Sequence, residues 1–168
     1  AEKVVRPLLG VMAKNFYDYA HDDWRWNPRF WEQRAILTQS ENIDLAIQYA
    51  RHAVAIEDHP FPWTTLASLL SKKMITTKVG LSAFFDEIID LLTKIIKFES
   101  VSNSWRPTPH PYSILLDSTT YYISNGGFIA PKRKDWIINK ILFCNQNFSR
   151  DQSVMSKAET LTNLISPP

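Results

Sequence analysis

Between Phe30 and Trp63 two amphipathic stretches meet at a short polar break, and the spacing of their apolar positions predicts a helical hairpin. In the first stretch Trp31, Ala35 and Thr38 recur at three-to-four spacing. In the second, Ile43, Ala46, Ile47, Ala50, Ala53 and Val54 keep the period of a buried helical face. Ala46, Ala50 and Ala53 fall along one side, where small side chains let a neighbouring backbone come close. Asn27 before Pro28, and Asn42, have the side chains that cap helix starts. Pro60 and Pro62 end the second helix near Glu57, and Pro62 suits the first turn of a third.

The remaining pattern is also helical. Val5, Leu8, Leu9, Met12, Phe16 and Tyr19 share a face, with Pro7 and Gly10 restricting that helix to about Leu8 onward. Trp63, Leu66, Leu69, Leu70 and Met74 make the next stripe, with Lys72 and Lys73 expected at the helix's negative end. From Leu81 to Phe98 the apolar residues fill about half the helical wheel, a width that implies contact with at least two other helices. SWRPTPHP, with prolines at 107, 109 and 111, is expected to be extended. Residues 112–124 read as a helix stopped by Gly126-Gly127, although TTYYIS has the β-branched and aromatic character of a strand. Pro131 opens a helix through Phe148, and residues 152–165 place Val154, Ala158, Leu161 and Ile165 on one face of a terminal, capping helix. The prediction is an all-α fold of about three stacked antiparallel hairpins with flanking terminal helices.

Composition narrows the class further. The chain has 168 residues, 45% hydrophobic, with ten Pro against four Gly, which favours one helical domain over a β fold or disorder. Its formal net charge of +2 is too small to imply a nucleic-acid or membrane partner. No apolar run approaches the ~18 residues of a membrane span, and the lone Cys144 in an apolar run reads as a small buried hydrophobe in a cytoplasmic protein. Opening on Ala1 without Met, the chain reads as a piece of a longer one.

Trp31 followed by Ala35, then Ala46 and Ala53, then His59-Pro60, resembles one tetratricopeptide repeat. Arg34, Thr38 and Ala50 stand where that family has Leu, Tyr and a large aromatic. More narrowly, WEQRA, AIQYARHAV, HPF and TTLASLL resemble the helical repeat region at the C-terminal end of large bacterial proteins that carry P-loop NTPase or sirtuin-like domains upstream. The resemblance covers about residues 24–75 and extends weakly to 136. It implies a sensor or scaffold piece that binds protein.

The residues offer little catalytic chemistry. His21-Asp22-Asp23 is similar to the His-Asp pair of metal-dependent phosphohydrolases, but His52, His59 and His110 lie mid-helix or before proline, positions that suit capping or surface roles. Gly126-Gly127 lacks the Lys-Ser or Lys-Thr of a phosphate loop, no Ser sits in a nucleophile elbow, and Cys144 has no nearby His to activate it. The expectation is therefore a non-catalytic interaction module with no cofactor or metal. Its candidate partner-binding residues are Arg25, Arg29, Arg34, Lys132, Arg133 and Lys134. The alternative is an RNA- or DNA-binding domain, in which the Arg/Trp-rich segment 24–34 stacks on bases and the basic run 132–134 holds phosphates. That run follows Pro131 in the first turn of a helix, where three cations oppose the dipole, so replacing all three by Gln is expected to stabilise the domain slightly.

Overall fold

The computed structural model describes residues 10–16, 25–102 and 106–166. Regular structure among them is entirely helical, so the all-α class is observed. Residues 10–16 form a short helical segment. Seven longer helices follow: α1 (Pro28–Thr38), α2 (Ile43–Ile56), α3 (Pro60–Thr77), α4 (Leu81–Val101), α5 (Pro109–Ser124), α6 (Pro131–Asn147) and α7 (Gln152–Ile165). Packing groups the residues into two compact units, Ala1–Leu69 and Leu70–Pro168, divided within α3.

In the first unit the chain enters α1 through Asn27, whose side-chain oxygen accepts a hydrogen bond from the Arg29 N–H at 2.9 Å. It reverses where the Glu41 and Asn42 N–H groups both donate to the Thr38 carbonyl. Asn42 then caps α2, accepting from the Leu45 N–H at 3.1 Å. Arg34 meets Tyr49 while the earlier Trp31 meets the later His52, so α1 and α2 run antiparallel. Ala35, Ala46, Ala50 and Ala53 are fully buried in this pair, and the small-residue face works as its spacing predicts.

The second unit is built on α5, which packs against α4, α6 and α7, while α7 also packs on α6. Because α5 has neighbours on several sides, its buried residues include Tyr112, Ile114, Leu115, Leu116 and Tyr122, and even the polar Ser118 and Thr119. Ser118 is satisfied by Ser71, with the two hydroxyl oxygens 2.8 Å apart. Phe85 of α4 stacks on Tyr122 at 4.2 Å between ring centroids, and Tyr112 stacks on Phe143 of α6 at 5.0 Å. The face expected for the last helix is realised in full, with Val154, Ala158, Leu161 and Ile165 all buried.

Three expectations need correction. Met12 and Phe16 are each 59% exposed, so the face predicted for the first helix does not enter the core at those positions, and its other members lie outside the described residues. Lys72 and Lys73 do not end α3, which continues to Thr77. The proline-rich linker gives way to α5 already at Pro109, because prolines at the first and third helical positions remove N–H groups that have no intrahelical partner there. The helix expected over 112–124 is present, and all six residues of TTYYIS lie in α5 despite their strand-like character.

α5 ends in a Schellman turn: Gly126 has φ +82, its N–H donates to the Ile123 carbonyl, and the Gly127 N–H donates to that of Tyr122. A Cβ on Gly127 would lie 2.6 Å from the Tyr122 ring, which is itself pinned by Phe85. Gly127→Ala is therefore expected to lower stability by about 1–3 kcal/mol, measured by chemical denaturation. Lys78 is the one non-glycine with positive φ among the described residues, at 60°. The left-handed strain of about 1–2 kcal/mol exceeds the roughly 0.5–1 kcal/mol entropic penalty of glycine, so Lys78→Gly is expected to shift the same denaturation midpoint upward.

Candidate functional site

A groove of about 670 Å³ opens along the first helical pair, lined by Arg25, Trp31, Arg34, Tyr49, His52, Ala55 and Ile56. Its residues come from three places. The turn before α1 supplies Arg25, whose carbonyl accepts a 2.6 Å hydrogen bond from the Trp31 indole N–H and so fastens that turn to the helix. α1 supplies Trp31 and Arg34, three residues and almost one turn apart. α2 supplies Tyr49, His52 and Ile56 at i, i+3 and i+7, a single helical stripe.

The groove is pre-ordered. The Arg34 guanidinium lies 4.4 Å above the Tyr49 ring and donates to the Tyr49 hydroxyl at 2.8 Å. His52 stacks on Trp31 with centroids 4.6 Å apart, and Phe30 meets Trp31 edge-on at 5.3 Å. Phe30 and Trp31 are thereby buried, at 4% and 6% exposure. A base-stacking platform needs open ring faces. His52 already covers Trp31, while Trp26 is 67% exposed.

The other candidates are placed differently. Arg29 is outside the groove, with its guanidinium 4.8 Å from the Phe61 ring. Lys132, Arg133 and Lys134 do occupy the first turn of α6. Arg133, however, is ion-paired with Asp86 of α4, and its guanidinium lies 6.0 Å from the centre of the Phe85 ring. A partly exposed pair contributes about 0–1 kcal/mol, similar in size to the few tenths per cation at stake from the dipole, so the slight gain expected from replacing all three cations is cancelled by the Arg133 member. Tyr49, Ala55 and Ile56 were not singled out from sequence, and His52 was weighed only as a metal ligand and read as suiting a capping or surface role. The i, i+3, i+7 stripe was the available signal.

The titratable groups away from the groove are structural. His59 does what a residue before proline suits, accepting a hydrogen bond from the Phe61 N–H at the start of α3. His110 lies inside the first turn of α5 rather than in a loop ahead of it, and burial, Lys157 and Lys72 hold its pKa down. Burial pushes the Cys144 thiol up to about 11, away from nucleophilic chemistry. Among the described residues no three His, Cys, Asp or Glu side chains converge as a metal site, and His21, Asp22 and Asp23 lie outside those residues. No helix among them is long and apolar enough to cross a membrane. Comparison with protein-family models, curated proteins and solved structures finds no match.

Glu32 of α1 is the buried acid of the first unit, at 5% exposure. One carboxylate oxygen accepts from the Thr65 hydroxyl at 3.3 Å, and the other has no hydrogen-bond partner among the described residues. Burial raises its pKa, more than Arg29 and Thr65 lower it. A carboxyl that binds its proton more tightly when folded stabilises most at low pH, and loses that contribution as pH rises through the folded pKa. Glu32→Gln is therefore expected to raise the melting temperature at about pH 7, with the gain shrinking toward about pH 4. Paired melting curves across that range check both the sign and the slope.

Proposed function

We propose that the chain is a non-catalytic helical interaction module whose α1–α2 groove receives an acidic, partly apolar segment of a partner protein. The observation that carries this reading is the composition of the lining. Ala55 and Ile56 offer apolar surface, Arg25 and Arg34 supply positive charge, and among the described residues no carboxylate lines the groove. Apolar side chains of the incoming segment fit against Ile56 and Ala55, with its carboxylates toward the two guanidinium groups.

The pre-ordered arginine strengthens the reading, since a side chain already held in place loses less freedom when it meets a ligand. The tetratricopeptide-like arrangement of stacked hairpins is part of the same proposal. It is supported by the burial of Trp31, Ala35, Ala46 and Ala53, the residues that carry the resemblance. A scaffold or sensor role within a larger bacterial protein follows from that resemblance, with recognition rather than catalysis as the chain's task.

The test is selection from a randomised peptide display library on the purified chain. Peptides combining Asp or Glu with aliphatic residues are expected to enrich, and the combined Arg25→Gln, Arg34→Gln variant to weaken the best of them about tenfold or more. Enrichment of basic peptides, or affinity indifferent to both arginines, overturns the proposal. So does tight, steeply salt-dependent binding of a single-stranded oligonucleotide through the same two residues.

A further inference from the structure

One end of the second unit gathers features that the α1–α2 groove does not use. The Tyr121 hydroxyl, near the end of α5, donates to the Ile75 carbonyl, near the end of α3, at 3.0 Å. Phe85, in the second turn of α4, stacks on Tyr122 of α5, and the neighbouring Asp86 pairs with Arg133 in the first turn of α6. These contacts bring the end of α3, the start of α4, the end of α5 and the start of α6 together. The turn 78–80 and the loop 125–130 therefore emerge side by side.

Each connection carries an apolar residue at its tip. Phe128 is 79% exposed and Val79 is 74% exposed, the two most exposed large hydrophobic side chains among the described residues. A single exposed apolar residue needs no explanation, but two on adjacent loops make a paired protrusion. Lys78 stands beside Val79, while Lys132 and Lys134 follow Phe128. Arg133 is committed to Asp86, so the cations that remain on this end are lysines.

We propose that this end docks on an anionic membrane surface, with Phe128 and Val79 entering the headgroup region and Lys78, Lys132 and Lys134 facing anionic lipid. The formal charge of +2, which argued against a membrane partner, averages over the chain; at this end Asp86 is taken up by Arg133, and Lys78, Lys132 and Lys134 stand against Glu87 and Asp135. Lysines act as compact point charges that suit a diffuse plane of negative headgroups, whereas fork-like recognition of individual phosphates favours arginine. Apolar tips ringed by lysine supply the combination of shallow insertion and attraction that peripheral binding requires. The proposal is independent of the groove.

The experiment is flotation of the purified full chain with phosphatidylcholine vesicles, with and without phosphatidylserine. Binding is expected with phosphatidylserine alone. Lys132→Gln with Lys134→Gln should weaken it about 25-fold, from roughly one factor of five per lysine, and Phe128→Ser about tenfold. Both variants change exposed or half-exposed side chains, and cooperative melting no lower than wild type confirms folding. Arg150→Gln, just beyond the other end of α6, should bind as wild type. Failure to bind phosphatidylserine vesicles overturns the proposal, as does wild-type binding by Phe128→Ser or equal weakening by Arg150→Gln. Binding of a single-stranded oligonucleotide through Lys132 and Lys134 with no vesicle binding assigns the lysines to a nucleic acid and also overturns it.

Discussion

The distance between α1 and α2 is set by methyl groups. Ala46, Ala50 and Ala53 face α1 with no exposed surface, and Ala35 meets them from the other side. Small side chains at such a seam bring two backbones close, and residues flanking it are then forced into contact. Trp31 and Arg34 reach His52 and Tyr49 for that reason, and the groove walls are the outer edge of the same contact. A bulkier residue in the seam alters the groove without touching it, because close-packed interiors transmit volume changes rather than absorb them.

The second unit meets a different constraint, which is how to surround one helix without stranding its polar groups. α5 carries Ser118 and Thr119 at zero exposure. Ser118 has Ser71, but the Thr119 hydroxyl has no hydrogen-bond partner among the described residues, an arrangement that costs about 1–3 kcal/mol. The aromatic contacts offset it. Tyr122 lies almost parallel to Phe85, at 9°, and Tyr112 is enclosed by Phe143 and Phe148, its phenol pushed up first by burial and then by the charge of Glu99. A helix carrying TTYYIS thus becomes central to a core through neighbours that its own residues do not announce.

That contrast explains what could be read in advance. The faces of α4 and α7, and the caps Asn27 and Asn42, depend on local spacing and local hydrogen bonds, and they were legible. Met12 and Phe16 show the limit, since periodicity identifies a face and not what covers it. The start of α5 was missed because prolines at 109 and 111 look like helix breakers everywhere except in a first turn, where the structure puts them. For the groove, Arg25 and Arg34 were visible as charges, whereas Tyr49, His52 and Ile56 acquire meaning only once α1 lies beside them. The alternative reading of segment 24–34 as a base-stacking surface competed with the spacing that already put Trp31 in the hairpin, and only the structure shows His52 covering that ring.

Cys144, the chain's one cysteine, is fully buried on α6. A thiol reagent reaches it only when that part of the second unit opens, so its modification rate times local unfolding. The native fold thereby carries its own clock, at the heart of the helices that present Phe128 and the lysines around it. It also leaves the folded surface blank to thiol chemistry among the described residues, so that a cysteine placed at a loop tip becomes the site where a spectroscopic label attaches.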